Sequence, residues 1–345
     1  MEFTKEKTNI AKGVAICLMF AHHLYYFGDR LINGNTYIPL IPFLNVEFRI
    51  GTFGSICVSM FLFLSGYGMY SSYLNSKEKI AIKYSLKKLK DFYFIYWLYF
   101  IIFVPIGIFF FEDVTAWNSS KLRYSAEPLI FLKNFIGWSY TYNGEWWFIK
   151  MFLILLLILF PIYVFLAERD IFLIIFTSLF LFFLSFEISP YGSLGFIFWQ
   201  TSLAVGIIFS KMKLFSSKLI EELDGYGWIR VFLALLLCFI LRFKLHRDYD
   251  FLIAPFFIYF SIRALEMMKI SKVFAYLGKY SFPLWLIHSF FCYYYFQDII
   301  YFPKWSPLVF ALLTVSSLLS VLVIEYLVLQ LKSLVKVCTG NSEKR

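Results

Sequence analysis

Apolar stretches long enough to cross a bilayer recur from one end of this chain to the other, Trp147 to Leu166 and Leu308 to Leu331 among them. A helix needs about 20 such residues to span hydrocarbon, so the chain must fold either as membrane helices or around an exceptionally apolar core. Composition decides between the two. The 345 residues are 61% hydrophobic and 16% charged, whereas soluble chains run at about 45–50% and about 25%. The expected fold is all-α: a polytopic transmembrane helical bundle of about ten spans, with both termini cytoplasmic. The spans are read at 10–28, 51–72, 91–111, 145–166, 171–187, 193–210, 228–243, 250–265, 281–298 and 307–331. On this reading residues 1–335 form one membrane domain and 336–345 a short cytoplasmic tail. A weaker apolar segment, Pro128 to Tyr140, is either re-entrant or interfacial.

Orientation follows from charge. Of the 32 Lys and Arg, the pieces placed inside hold 22 and those placed outside hold 9, the bias that cytoplasmic loops carry. It absorbs most of the formal charge of +10 and removes the motive for a nucleic-acid partner. The densest basic run, Ser76 to Lys90, reads as a topology signal against anionic lipid, or as the mouth for an anionic cytoplasmic ligand. The start of the chain mixes Glu2, Lys5, Glu6 and Lys7 and lacks a small-residue cleavage site, so the first helix is expected to stay in the mature protein. Five scattered cysteines have no metal spacing and read as small core residues. Aromatics of the long outer stretch Glu112 to Glu145, such as Trp117, Trp138 and Tyr142, are interface anchors first and sugar-stacking candidates second.

Chemistry concentrates in a few places. In "KGVAICLMFAHHL", Lys12 and His23 are eleven residues apart, about three helical turns, so they share a face with a rise of roughly 16 Å between them. His22 points about 100° away. An ionisable group at that depth marks a functional site by default. His288, in "GKYSFPLWLIHSFF", falls at similar depth if Ser281 caps its helix and Pro283 sits in the first turn. It serves either as a proton-handling partner or as a buried hydrogen bond. Gly66 and Gly68 in "SMFLFLSGYGMYSS" allow close helix approach or room for a ligand. In "GEWWFIKMF", Glu145 is a carboxylate at a helix end, and Lys150 is a cation one turn in that either snorkels or takes part. His246 reads as a solvated loop residue.

These four stretches, in this order and spacing, resemble the successive signatures of acyltransferase family 3, integral-membrane enzymes that O-acylate surface polysaccharides and other exported carbohydrates. The resemblance implies a multi-pass protein of a bacterial inner or plasma membrane. Its partners would be the lipid bilayer, acyl-CoA and a glycan acceptor, lipid-linked or free. It implies acyl-CoA, most commonly acetyl-CoA, as co-substrate, with no permanently bound cofactor and no metal. Lys12 matches the family's basic residue for the CoA phosphates, with Ser65 and Gly66 beside the donor. His23 matches the general base, and His22, His288 and Lys150 are further catalytic candidates. Glu145, Trp146 and Trp147 are candidates for acceptor binding. Lys12 and Lys150 stand where arginine is more usual, which keeps the charge and gives up the fork. An acyl-histidine intermediate stays open. The competing readings are a glycan transporter or flippase, and a glycan polymerase that would use no CoA.

Overall fold

The structure is a computed structural model that describes residues 3–115, 120–217, 222 and 227–338. Trp117, and residues 339–345 of the expected tail, lie outside the described residues. Every regular element among the described residues is helical, and the only β-type pairings there are two isolated bridges, Ile38 with Trp305 and Thr115 with Leu122.

Helix α1 (Lys5–Tyr25) begins where Thr4 accepts a hydrogen bond from the Lys7 amide at 3.3 Å, with Glu6 in the first turn, a start favoured by capping and by the helix dipole. After a loop come α2 (Val46–Gly54) and α3 (Cys57–Leu74), then α4 (Ala81–Phe110), α5 (Pro128–Phe135) and α6 (Trp147–Ile154). A π-helical turn, Leu155–Leu159, joins α6 to α7 (Phe160–Arg169). Next are α8 (Ile171–Leu184), which Asp170 caps through the Phe172 amide at 2.9 Å, and α9 (Gly195–Lys211). The last group is α10 (Trp228–Leu245), α11 (Asp250–Met267), α12 (Ser271–Lys279), α13 (Ser281–Ser289), α14 (Gln297–Tyr301) and α15 (Ser306–Cys338). A second π-helical turn, Phe290–Tyr294, extends α13.

Ser281 does not cap as expected. It is the first residue of α13, the capping position belongs to Tyr280, and no side chain caps there. The chain turns directly from α12 into α13 at Tyr280, so Ser281 is already inside the helix. The expected boundary at 335/336 falls inside α15.

Four helical stretches are long and apolar enough to cross a membrane: Val46–Leu74, Ala81–Phe110, Gly144–Arg169 and Ser306–Leu334. Ile171–Glu187 is apolar but shorter. It presents Phe172, Phe176 and Phe183 outward, each more than 60% exposed. Water would penalise such a surface and lipid would not, which makes this a membrane protein. The segment around Pro128 is a helix of two turns, α5.

Two cores hold the bundle. One surrounds α1 and draws on α4, α11, α13 and α15; the other joins α3, α7, α8 and α9. Glycines let backbones meet in both. A Cβ on Gly13 would lie 2.0 Å from Phe274 O, and one on Gly278 would lie 1.8 Å from Asn9 O, so α1 and α12 touch main chain to main chain. Gly66 and Gly206 do the same for α3 and α9, each 2.1 Å from the other helix's carbonyl oxygen by the same test. That first contact fixes the rotation of α1, and with it the direction in which Lys12 and His23 face.

Candidate functional site

His23 is buried, and its ring nitrogens both meet oxygen. Nε2 lies 3.3 Å from Glu145 Oε2, and Nδ1 lies 3.2 Å from Tyr293 Oη. The Tyr293 hydroxyl donates to the His23 carbonyl at 2.6 Å. With that proton committed, Tyr293 Oη faces the ring as an acceptor. A ring carrying a proton on each nitrogen would therefore find an acceptor for both.

Glu145 is placed with care. Its amide donates to Asn143 Oδ1 at 3.0 Å, and Asn143 Oδ1 also accepts from Ser289 Oγ at 2.9 Å. The Gly144 amide donates to Tyr294 Oη at 3.1 Å, and the Trp146 indole donates to Leu286 O at 3.1 Å. Residues 143–146 are thus clamped against α13 and its π turn, which presents Tyr293 and Tyr294 side by side. The other carboxylate oxygen, Oε1, accepts from Arg30 at 2.7 Å. Arg30 in turn lies over the Phe27 ring at 3.8 Å, and its carbonyl is held by Gln297 at 3.0 Å. Burial works against the charge on Arg30, but Glu145 together with Tyr293 and Tyr294 more than offsets it and holds the guanidinium above its ordinary value.

His288 is fully buried, with its ring centroid 4.8 Å from that of His23. Its Nδ1 is 2.8 Å from Trp285 O. A carbonyl only accepts, so the proton sits on Nδ1 and Nε2 is left as an acceptor without a partner among the described residues. His22 donates from Nδ1 to Gly51 O at 2.7 Å, which ties α1 to α2.

A cavity of about 1390 Å³ runs past these groups. Lys12 lines one end, Arg30, Asp113 and Arg247 line the other, and His22, His23 and Glu145 lie between. The stretch from Lys12 to His23 is walled by apolar side chains that include Phe61, Phe92, Phe152 and Trp285. Ser65 and Trp147 line it too, and Trp147 stands edge-on to Tyr191 at 4.9 Å. Along the cavity wall Arg242 pairs with Asp250 and donates to Ser55 Oγ at 2.7 Å.

Other expected residues lie elsewhere. Gly66 packs against Leu203, outside the cavity lining. Trp146 is buried behind the wall, against Tyr96 and Phe290. Lys150 sits 4.1 Å over the Trp138 ring and does not line the cavity, nor do the lysines of the run Ser76 to Lys90. His246, by contrast, is an exposed residue of the cavity lining, 3.1 Å from Asp248.

Arg30, Asn143, Tyr293 and Tyr294 are site residues beyond those expected from the sequence. Asn143, two residues before Glu145, was the one with a local signal, since its side chain caps the turn that carries the carboxylate.

No curated protein and no solved structure shows significant similarity to this chain. The family described as an acyltransferase domain matches residues 7–326, a stretch that includes every residue of the site. The chain therefore belongs to acyltransferase family 3 and is a membrane acyltransferase.

Proposed function

We propose that the protein moves an acyl group, acetyl in the simplest case, from cytoplasmic acyl-CoA to a hydroxyl of a cell-envelope or exported glycan, with ten membrane crossings and both termini inside. The observation that carries this reading is that Lys12 and His23 line one cavity from one face of α1, with an apolar passage between them. A phosphate-bearing donor anchored at Lys12 would lay its thioester arm along that passage and end at the imidazole. The rise of roughly 16 Å suits an extended pantetheine-like arm.

His23 acts as the general base. An acceptor hydroxyl that enters from the cavity beside the carboxylate gives its proton to the ring, as the oxygen attacks the thioester carbonyl. The resulting imidazolium is stabilised by Glu145 and Tyr293. It then returns the proton to the departing CoA thiolate. Asn143 and Arg30 act through Glu145, by orienting it and balancing its charge. His288 supports His23 from behind, and Lys150 has no part in the step.

The test is calorimetric binding of acetyl-CoA to detergent-purified protein, comparing wild type with Lys12→Ala and His23→Ala. Weakened binding in Lys12→Ala, with binding retained in His23→Ala, supports the reading. A wild type that binds no acetyl-CoA would move the assignment to a donor other than CoA.

A further inference from the structure

The outer end of the cavity holds a charge that the acyl-transfer step does not use. The bridge between Thr115 and Leu122 and the Arg123 amide on Val114 O at 2.8 Å fix the backbone just outside α4. From there the Arg123 side chain turns inward, 7% exposed, and lines the cavity. Its guanidinium lies 4.2 Å over the Tyr294 ring and donates to Thr141 O at 3.0 Å, while Nε is buried without a partner among the described residues.

No carboxylate among the described residues pairs with it. Glu145 is engaged by Arg30 and Asp250 by Arg242, and Asp113, exposed at the same mouth, forms no ion pair with it. Arg247, also at the outer end, is less buried and rests on Tyr191 Oη at 3.2 Å. Arg123 is thus the deeply buried guanidinium of this cavity that lacks a counter-ion among the described residues. A buried charge in that state is costly unless something neutralises it. The cavity it lines is where a ligand would do so.

We propose that Arg123 is an anion-binding subsite, and that the acceptor carries an oxyanion, a carboxylate or a phosphate, close to the hydroxyl that is acylated. Arg123 lies at the end opposite Lys12, so the anion belongs to the acceptor and not to the donor's phosphates. Tyr294 connects the subsite to the reacting group, with Arg123 on its face and the Gly144 amide on its hydroxyl, next to Glu145. The guanidinium fork suits either oxyanion. Calling the ligand an acceptor rests on the transferase reading; the anion site itself does not.

The experiment is binding of D-glucuronate and of glycerol 3-phosphate, each against its neutral counterpart, glucose or glycerol, to purified full-length protein. Wild type, Arg123→Gln and Arg123→Lys are compared. We expect at least one anion to bind about 10- to 100-fold more tightly than its neutral counterpart in wild type. Arg123→Gln should abolish the preference, and Arg123→Lys, a point charge without the fork, should keep part of it. Whichever anion binds better identifies the source. The proposal is overturned if neither anion outcompetes its counterpart, or if the preference survives Arg123→Gln. The melting temperature checks that the variants are folded, and acetyl-CoA binding is measured on the same samples. That binding reports separately on the transferase reading: a wild type that shows the anion preference but no acetyl-CoA binding counts against that reading and leaves the subsite standing.

Discussion

At the scale of residues, Glu145 meets His23 on one ring nitrogen and Tyr293 on the other, so substitutions should separate the base from its supports. Removing the imidazole in His23→Ala should cost about 10²–10⁴-fold in acyl transfer while acetyl-CoA still binds. Glu145→Gln keeps the shape and loses the charge. A hydrogen bond to a charged group is worth about 1.5–3 kcal/mol, so kcat should fall about 10- to 100-fold. Single-turnover rates check both variants, and an unchanged rate in Glu145→Gln would remove the carboxylate from the step. A base that must start unprotonated also predicts a rate that falls on the acid side, and an acid limb that Glu145→Gln leaves in place would count against the His23–Glu145 pair. Lys12 and His23 could be paired from sequence because helical period alone puts residues eleven apart on one face. Arg30 could not. It reaches Glu145 from a loop whose path is set by Gln297, more than 260 residues away.

At the scale of elements, the backbone contacts at glycines decide which way each helix faces. Gly66→Ala drives a methyl into Leu203 O, whereas a methyl on Gly68 meets nothing within 4 Å. Overpacking of this kind costs about 1–3 kcal/mol. Gly66→Ala should therefore lower the melting temperature in detergent, and Gly68→Ala should leave it near wild type. Equal melting temperatures would mean that α3 and α9 are free to move apart. Helix positions were largely legible, because apolar runs of this length leave the chain few choices. The π turn at Phe290–Tyr294 was not, since nothing in "HSFFCYYYFQ" distinguishes it from further α-helix. An extra residue in one turn brings Tyr293 to His23 and Tyr294 to Arg123. The same limit explains Ser281, a good capping residue on composition whose place was taken by the turn from α12.

For the whole molecule, the proposed orientation makes a simple prediction. Single cysteines placed at Ser76 and at Lys121 should react with an impermeant thiol reagent from opposite sides of sealed vesicles, on a background with the native cysteines removed. Reaction from the same side would overturn the arrangement of spans. The four long apolar helices follow from hydropathy alone, whereas the cavity between them depends on pairings across the full length of the chain, such as that of α1 with α12 and α13. The continuity of that cavity from Lys12 to Arg30 has an energetic corollary. In the proposed reaction an acyl group moves outward while the hydroxyl hydrogen of the acceptor moves inward to the departing thiol, and both are neutral when counted with their partners. CoA keeps all its phosphates on the side where it bound. Each turnover then carries no net charge through the membrane, so imposing or collapsing an electrical potential should leave the equilibrium of the transfer where it was.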